Sequence, residues 1–162
     1  MAREKPTLIV DTREKNPWQF EDDGDFAEVK YAKLDQGDYA IEGLEHVCAI
    51  EKKASGDELL NNFFSGKKRI YAEMERLQEH CKCPVIVIEQ TLEQLLNPRE
   101  YYVNSSGKNR KSKYMPPAVV MDNLMDIMAL HGVHVVFGGE DAQRIAKRIL
   151  LRTWTLHHQG KL

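Results

Sequence analysis

A chain of 162 residues with 42% apolar residues is long enough to enclose its own core and short enough to be one domain. Its formal charge of −2 excludes attraction to a polyanion through overall charge, so any grip on nucleic acid must come from a local patch. Three cysteines, an odd number, exclude a simple disulfide framework and suit reduced thiols. Residues 1–6 are charged and no apolar run approaches a membrane span, so a soluble, intracellular and cytoplasmic protein with no membrane contact is expected.

The first apolar run, TLIV at 7–10, predicts a buried strand ending at Asp11. Residues 12–24 are polar, contain Pro17 and Gly24, and predict a loop anchored by Trp18 and Phe20. The alternation of VKYAKL at 29–34 predicts a half-buried strand. Two strands at 37–41 and 46–51 flank EGLE and predict a hairpin. Ser55-Gly56-Asp57 then breaks the chain, and Asp57 is the expected cap of a helix reaching Phe64. After Gly66, the spacing of Ile70, Met74 and Leu77 predicts a helix over 69–80. PVIVIE at 84–89 is a β-branched run of the kind found in a central strand buried on both faces. A short helix is expected at 92–96. Residues 104–114, NSSGKNRKSKY, are basic and without acids, and predict a mobile loop. Pro116-Pro117 opens a helix to His131 that Gly132 stops. HVVF at 134–137 is the last strand, and Asp141 is the expected cap of a final helix. The sum is a mixed α/β layer architecture without internal repeats.

One question concerns why the apolar strand VCAI at 47–50 runs into Glu51-Lys52-Lys53. Alternation points Glu51 and Lys53 to one face and Lys52 to the other. Asp38 opens the preceding hairpin strand, and pairing brings it within about 5 Å. Two carboxylates and a lysine in one small volume suit Mg²⁺ or Mn²⁺ and phosphodiester hydrolysis. The alternative is a strand that ends in solvated charges. Asp11 at another strand end and Asp57 six residues after Glu51 favour the site, because gathered carboxylates repel one another unless a cation offsets them.

These residues resemble the nuclease domain of the XPF family of structure-specific DNA endonucleases, which includes archaeal Hef. The family's V-D-x-R-E is similar to Val10-Asp11-Thr12-Arg13-Glu14, its G-D-[YF] to Gly37-Asp38-Tyr39, and its E-R-K-x-x-x-D to the run from Glu51-Lys52-Lys53 to Asp57. A following Gly and R-[LI]-x-x-Q-x-x-x-L is similar to Gly66 and the run Arg69-Ile70 to Leu77, with Glu73 in the glutamine's place. The resemblance implies a restriction-endonuclease-like mixed sheet flanked by helices in a single domain over 1–162, the PD-(D/E)XK class. It implies Mg²⁺ or Mn²⁺ and cutting of flap, branched or junction DNA, in the nucleoid if the source is prokaryotic. Asp38 and Glu51 would ligate metal with Asp11 as a further acid, Lys53 would be the catalytic lysine, and Asp57 would support the site. Arg13 and Arg69 would contact phosphate, as would Lys52, which keeps the charge of the motif's arginine without its fork. No helix-hairpin-helix or helicase element is recognised. A non-catalytic DNA-binding or scaffolding domain of the same fold, and a restriction-type duplex endonuclease, are the alternatives.

Lys108, Arg110, Lys111 and Lys113 in the basic loop are candidate DNA contacts, each phosphate neutralised making binding more salt-sensitive. Arg144, Lys147, Arg148 and Arg152 on the last helix read as a solvated face rather than a second contact. The helix over 118–130 carries Met121, Met125 and Met128 and is apolar over much of its circumference. Burial within the monomer and pairing with a second copy or a partner protein both account for it. His80, Cys81 and Cys83 are too closely spaced for an ordinary zinc pair and read as idle thiols.

Overall fold

The computed structural model describes residues 4–22, 24–97 and 115–162. Among them, six strands form one sheet in the order β2-β1-β3-β4-β5-β6. They are β1 (Thr7–Asp11), β2 (Glu28–Ala32), β3 (Tyr39–Ile41), β4 (Cys48–Lys53), β5 (Cys83–Ile88) and β6 (His134–Phe137). The helices are α1 (Gly56–Ser65), α2 (Lys67–His80), α3 (Leu92–Leu96), α4 (Pro117–His131) and α5 (Ala142–His158). β3 is antiparallel to both β1 and β4, while β2 runs parallel to β1, and β5 and β6 continue parallel to β4. The hairpin and the buried central strand are therefore as expected: β5 lies between β4 and β6, with every residue after Cys83 buried.

Each face of the sheet has its own core. On one face Val10, Tyr39, Ile50 and Val87 pack against α5 through Ala142, Ala146 and Leu150. The 12–24 loop closes this face with Trp18 and Phe20. Trp18 stacks on Tyr39 at 4.9 Å between ring centroids, and its amide donates to the Tyr39 hydroxyl at 2.9 Å. The two rings therefore anchor the loop, as expected, and each contributes about 1.5–3 kcal/mol by burial. On the other face Ala49, Ile86 and Ile88 pack against α1, α2 and α4. Ile70, Met74 and Leu77 supply the buried stripe of α2, a pattern the 3.6-residue period dictates.

Two expected caps are corrected. The side chain of Ser55 caps α1, accepting from the Glu58 amide at 3.3 Å, because Ser55 has the extended backbone that a cap requires. Asp57 lies one residue inside the helix. Asp141 makes no capping bond to α5. A 3₁₀ turn over Gly139–Asp141 precedes the helix, and the Asp141 carboxylate faces Arg144 at 3.6 Å instead. α4 buries Val120, Leu124 and Ile127 but leaves Val119, Met125, Met128 and Leu130 exposed, so it is not fully buried within the monomer. Among the described residues no helix is long and apolar enough to cross a membrane.

Candidate active site at the strand ends

Three adjacent strands bring their acids to one end of the sheet. The Asp11 amide donates to the Asp38 carbonyl at 2.8 Å, and the Asp38 amide donates to the Ile50 carbonyl at 2.7 Å. These bonds extend the ladder one residue beyond β3 and fix Asp38 between β1 and β4. Gly37 permits this approach: its φ is +79°, and a Cβ there would sit 3.2 Å from Ala49 Cβ and from the Ile50 carbonyl oxygen. The Asp38 carboxylate then accepts from the Lys52 amide at 2.8 Å, directly beside Glu51. A cavity of about 290 Å³ opens here, lined by Arg13, Glu14, Asp38, Glu51 and Glu58 among others.

Strand alternation separates the three charges of β4 as expected. Glu51 and Lys53 face α1 and α2. Lys53 is 4% exposed, and its ammonium lies 3.0 Å from Glu51 Oε1, 3.3 Å from Glu73 Oε1 and 3.7 Å from Glu58 Oε1. One buried cation thus serves three carboxylates. Burial raises the Asp38 carboxyl to about 6, with the Lys52 amide pulling it back and the charge of Glu14 adding to the rise. Burial, then repulsion from Asp38, lifts Glu51 well above the carboxylate range. Burial also pushes Glu73 upward, but its hydrogen bond with Glu51 and the Lys53 charge bring it below its ordinary value. Burial would lower Lys53, yet Glu51 and Glu73 hold it above its ordinary value, so it stays charged.

Two expected site residues already have partners in the fold. Asp11, taken as a metal ligand, is 1% exposed and already engaged by four donors. Arg13 binds it through its amide at 2.7 Å, Nε at 2.8 Å and Nη2 at 2.9 Å, and the Leu34 amide adds a bond at 2.7 Å. Burial would raise the Asp11 carboxyl, but these bonds hold it below its ordinary value. Asp11 is thus an anchor for Arg13, whose side chain is 59% exposed at the mouth of the cavity. Lys52, expected among the phosphate contacts, is turned inward: its ammonium donates to the Asn16 carbonyl and sits 5.2 Å over the Trp18 ring. Buried there, with Glu89 3.9 Å away, it ties the 12–24 loop to β4.

Arg69 is exposed on α2, one turn before Glu73, whose carboxyl its charge helps to lower. Lys108, Arg110, Lys111 and Lys113 lie outside the described residues, as does the side chain of Asp57. The acids that sequence reasoning did not assign are Glu58 and Glu73. A usable signal was present for Glu73: it falls between Ile70 and Leu77 at spacings of three and four, which turns it toward the sheet.

Asp11→Ala is expected to lower stability by about 1–3 kcal/mol, since it leaves the buried Leu34 amide without its acceptor, while the exposed guanidinium keeps the Leu34 carbonyl and water. Urea unfolding checks this, and a loss below about 1 kcal/mol would show that the anchor is dispensable.

Among the described residues no three Asp, Glu, His or Cys side chains converge as ligands of one ion. What the site offers a cation is the Asp38–Glu51 pair, hard oxygen donors suited to Mg²⁺ or Mn²⁺. Burial is the main cause of the upward shift of both carboxyls, and repulsion, from Glu14 at Asp38 and from Asp38 at Glu51, adds to it against the pull of Lys53. The donor set therefore fits the expected ion.

A mixed sheet with helices on both faces, an acid opening the middle hairpin strand and Glu-x-Lys ending the next, has the restriction-endonuclease-like architecture. Comparison with known proteins narrows this. The model of the ERCC4 domain family matches residues 10–144. The solved structure of XPF from Aeropyrum pernix superposes with a TM-score of 0.61 at 17% identity, covering 96% of this chain and 69% of that one. XPF from Aeropyrum pernix in complex with DNA superposes with a TM-score of 0.59 at 18% identity, covering 93% and 66%. The chain therefore spans about two thirds of the length of those proteins. A comparison with curated proteins finds no match. The chain belongs to the ERCC4 domain family and has the fold of the XPF-type nuclease domain.

Proposed function

We propose that this domain is a metal-dependent DNA endonuclease that hydrolyses a phosphodiester at flaps, branches or junctions. The observation that carries the reading is the meeting of Asp38 and Glu51 at one cavity, with the Lys53 ammonium 3.0 Å from Glu51. Family membership and the DNA-bound structure of a relative support DNA as the substrate.

Mg²⁺ or Mn²⁺, held by Asp38 and Glu51, would supply the Lewis acid that polarises the scissile phosphate. The chain's own groups complete the site. Lys53 presents a fixed positive charge toward the negative charge that grows on the phosphate oxygens, in a place where little water competes. Arg13, aimed by Asp11, binds a phosphate at the cavity mouth. Arg69 extends that contact along α2, and Lys108, Arg110, Lys111 and Lys113 of the basic segment are further phosphate contacts. Asp57 is carried over from the family motif as a supporting acid. The exposed apolar residues of α4 suit pairing with a second copy or a partner protein.

The test is cleavage of end-labelled flap, fork and linear duplex DNA with Mg²⁺, Mn²⁺ or EDTA. Cutting of branched substrates that stops in EDTA is the expected result. Equal cutting of linear duplex would mean a restriction-type enzyme. Binding without cutting under every condition would mean a scaffolding domain.

A further inference from the structure

Lys53 has more partners than it can keep. Its closest is Glu51 Oε1 at 3.0 Å, and Glu51 is also a proposed cation ligand. A divalent ion draws a carboxylate oxygen more strongly than an ammonium does. Once Glu51 is so engaged, Lys53 depends on the other two acids. Glu58 is the weaker one, 3.7 Å away and 48% exposed, where solvent screens the attraction. Glu73 is 3.3 Å away and 26% exposed. It stands on α2 between the buried side chains of Ile70 and Met74, so its backbone is fixed against the sheet.

We infer that Glu73 is a positioning residue that holds the Lys53 ammonium in place while Glu51 engages a cation, an inference that rests on the nuclease reading above. Lysine is a long flexible side chain with a point charge, and such a group acts on a transition state only when a neighbour fixes its head. Glu73 does this with a charge-assisted bond. An amide at the same place keeps a weaker acceptor in the same geometry, and alanine keeps none.

The experiment uses the full chain and the variants Glu73→Gln, Glu73→Ala, Glu58→Gln and Glu51→Gln. Steady-state cleavage of a flap substrate gives kcat and KM, electron paramagnetic resonance gives the affinity for Mn²⁺ alone, and NMR of lysine ammonium groups in Mg²⁺ follows Lys53. Glu73→Ala is expected to lose about tenfold to a hundredfold in kcat with KM little changed. Glu73→Gln recovers most of that loss, and Glu58→Gln, which removes the longer and more exposed contact, loses less of kcat than Glu73→Ala does. Both Glu73 variants bind Mn²⁺ as the unaltered protein does, whereas Glu51→Gln binds it at least about tenfold more weakly. The slowly exchanging ammonium signal of Lys53 survives in Glu73→Gln and disappears in Glu73→Ala. Mn²⁺ affinity falling in Glu73→Ala as far as in Glu51→Gln would make Glu73 a ligand and overturn the inference, as would an unchanged kcat. If the unaltered protein cuts no DNA, the nuclease reading fails on its own. The ammonium signal still decides the role of Glu73, because its persistence in Glu73→Ala removes the anchor.

Discussion

Asp38→Asn is expected to abolish cleavage, a loss of about 10³-fold or more, and at the same time to make the protein more stable. The first effect follows from the site. A cation that polarises phosphate contributes several kcal/mol to the transition state, and each 1.36 kcal/mol is about tenfold in rate. Asn keeps the size of the side chain and the acceptor for the Lys52 amide, but not the charge. The second effect follows from burial. A carboxyl raised from its ordinary 3.8 to about 6 is more easily protonated in the folded chain than in the unfolded one. Its contribution to stability is therefore fully present below about pH 4 and lost as the pH rises through about 6. At neutral pH the ionised Asp38 opposes folding by about 3 kcal/mol. Asn removes that opposition and flattens the pH dependence between those limits. Mg²⁺ should raise the melting temperature of the unaltered protein at pH 7.5 and leave that of Asp38→Asn unmoved, since only the former gathers charge for the ion to offset. Melting curves at pH 4, 6 and 8 with and without Mg²⁺, beside the cleavage assay, check all three statements. A variant that cuts normally, or that is less stable at pH 8, would remove Asp38 from the role given to it.

The parts of this site that could be read from the sequence are those set by short-range geometry. Alternation along β4 separates Glu51 and Lys53 from Lys52, and hairpin pairing brings Asp38 alongside. Both follow from spacings of a few residues. The fates of Asp11 and Lys52 were not legible, because they depend on partners that folding brings from a distance. Asp11 is closed off by the Leu34 amide, 23 residues later. Lys52 is drawn inward by the Asn16 carbonyl and the Trp18 ring, more than 30 residues earlier. A lysine in a charged motif reads as a solvent-facing cation until that ring is placed. The cap of α1 shows the same limit at shorter range. Ser55 and Asp57 both suit a cap, and only the backbone angles at Ser55, φ −148° and ψ 153°, decide between them. Glu73 was visible as a departure from the motif, but the four-way contact with Lys53 required α2 to be docked on β4.

Lys53→Met should act on stability in the opposite direction to Asp38→Asn. The lysine is 4% exposed and faces Glu51, Glu73 and Glu58. Methionine fills much of the same volume but leaves these acids without their common counter-charge. Breaking a buried ion pair from one side lowers stability by about 3–5 kcal/mol. Protonation is then the only relief open to Glu51 and Glu73: the raised carboxyl of Glu51 goes higher still, and Glu73 loses a charge that holds it down. The sign is that of Asp38: stability is retained at low pH and lost as the pH rises, now more steeply than in the unaltered protein. Lys53 itself adds no slope in this range, since its raised pKa keeps it charged throughout. Urea unfolding at pH 5 and pH 8 separates the cases. The gap between Lys53→Met and the unaltered protein should be small at pH 5 and wide at pH 8. Cleavage should be lost at both. A gap of the same size at the two pH values would mean that lost packing rather than exposed negative charge accounts for the instability. Lys53 would then not be the centre that holds these acids together.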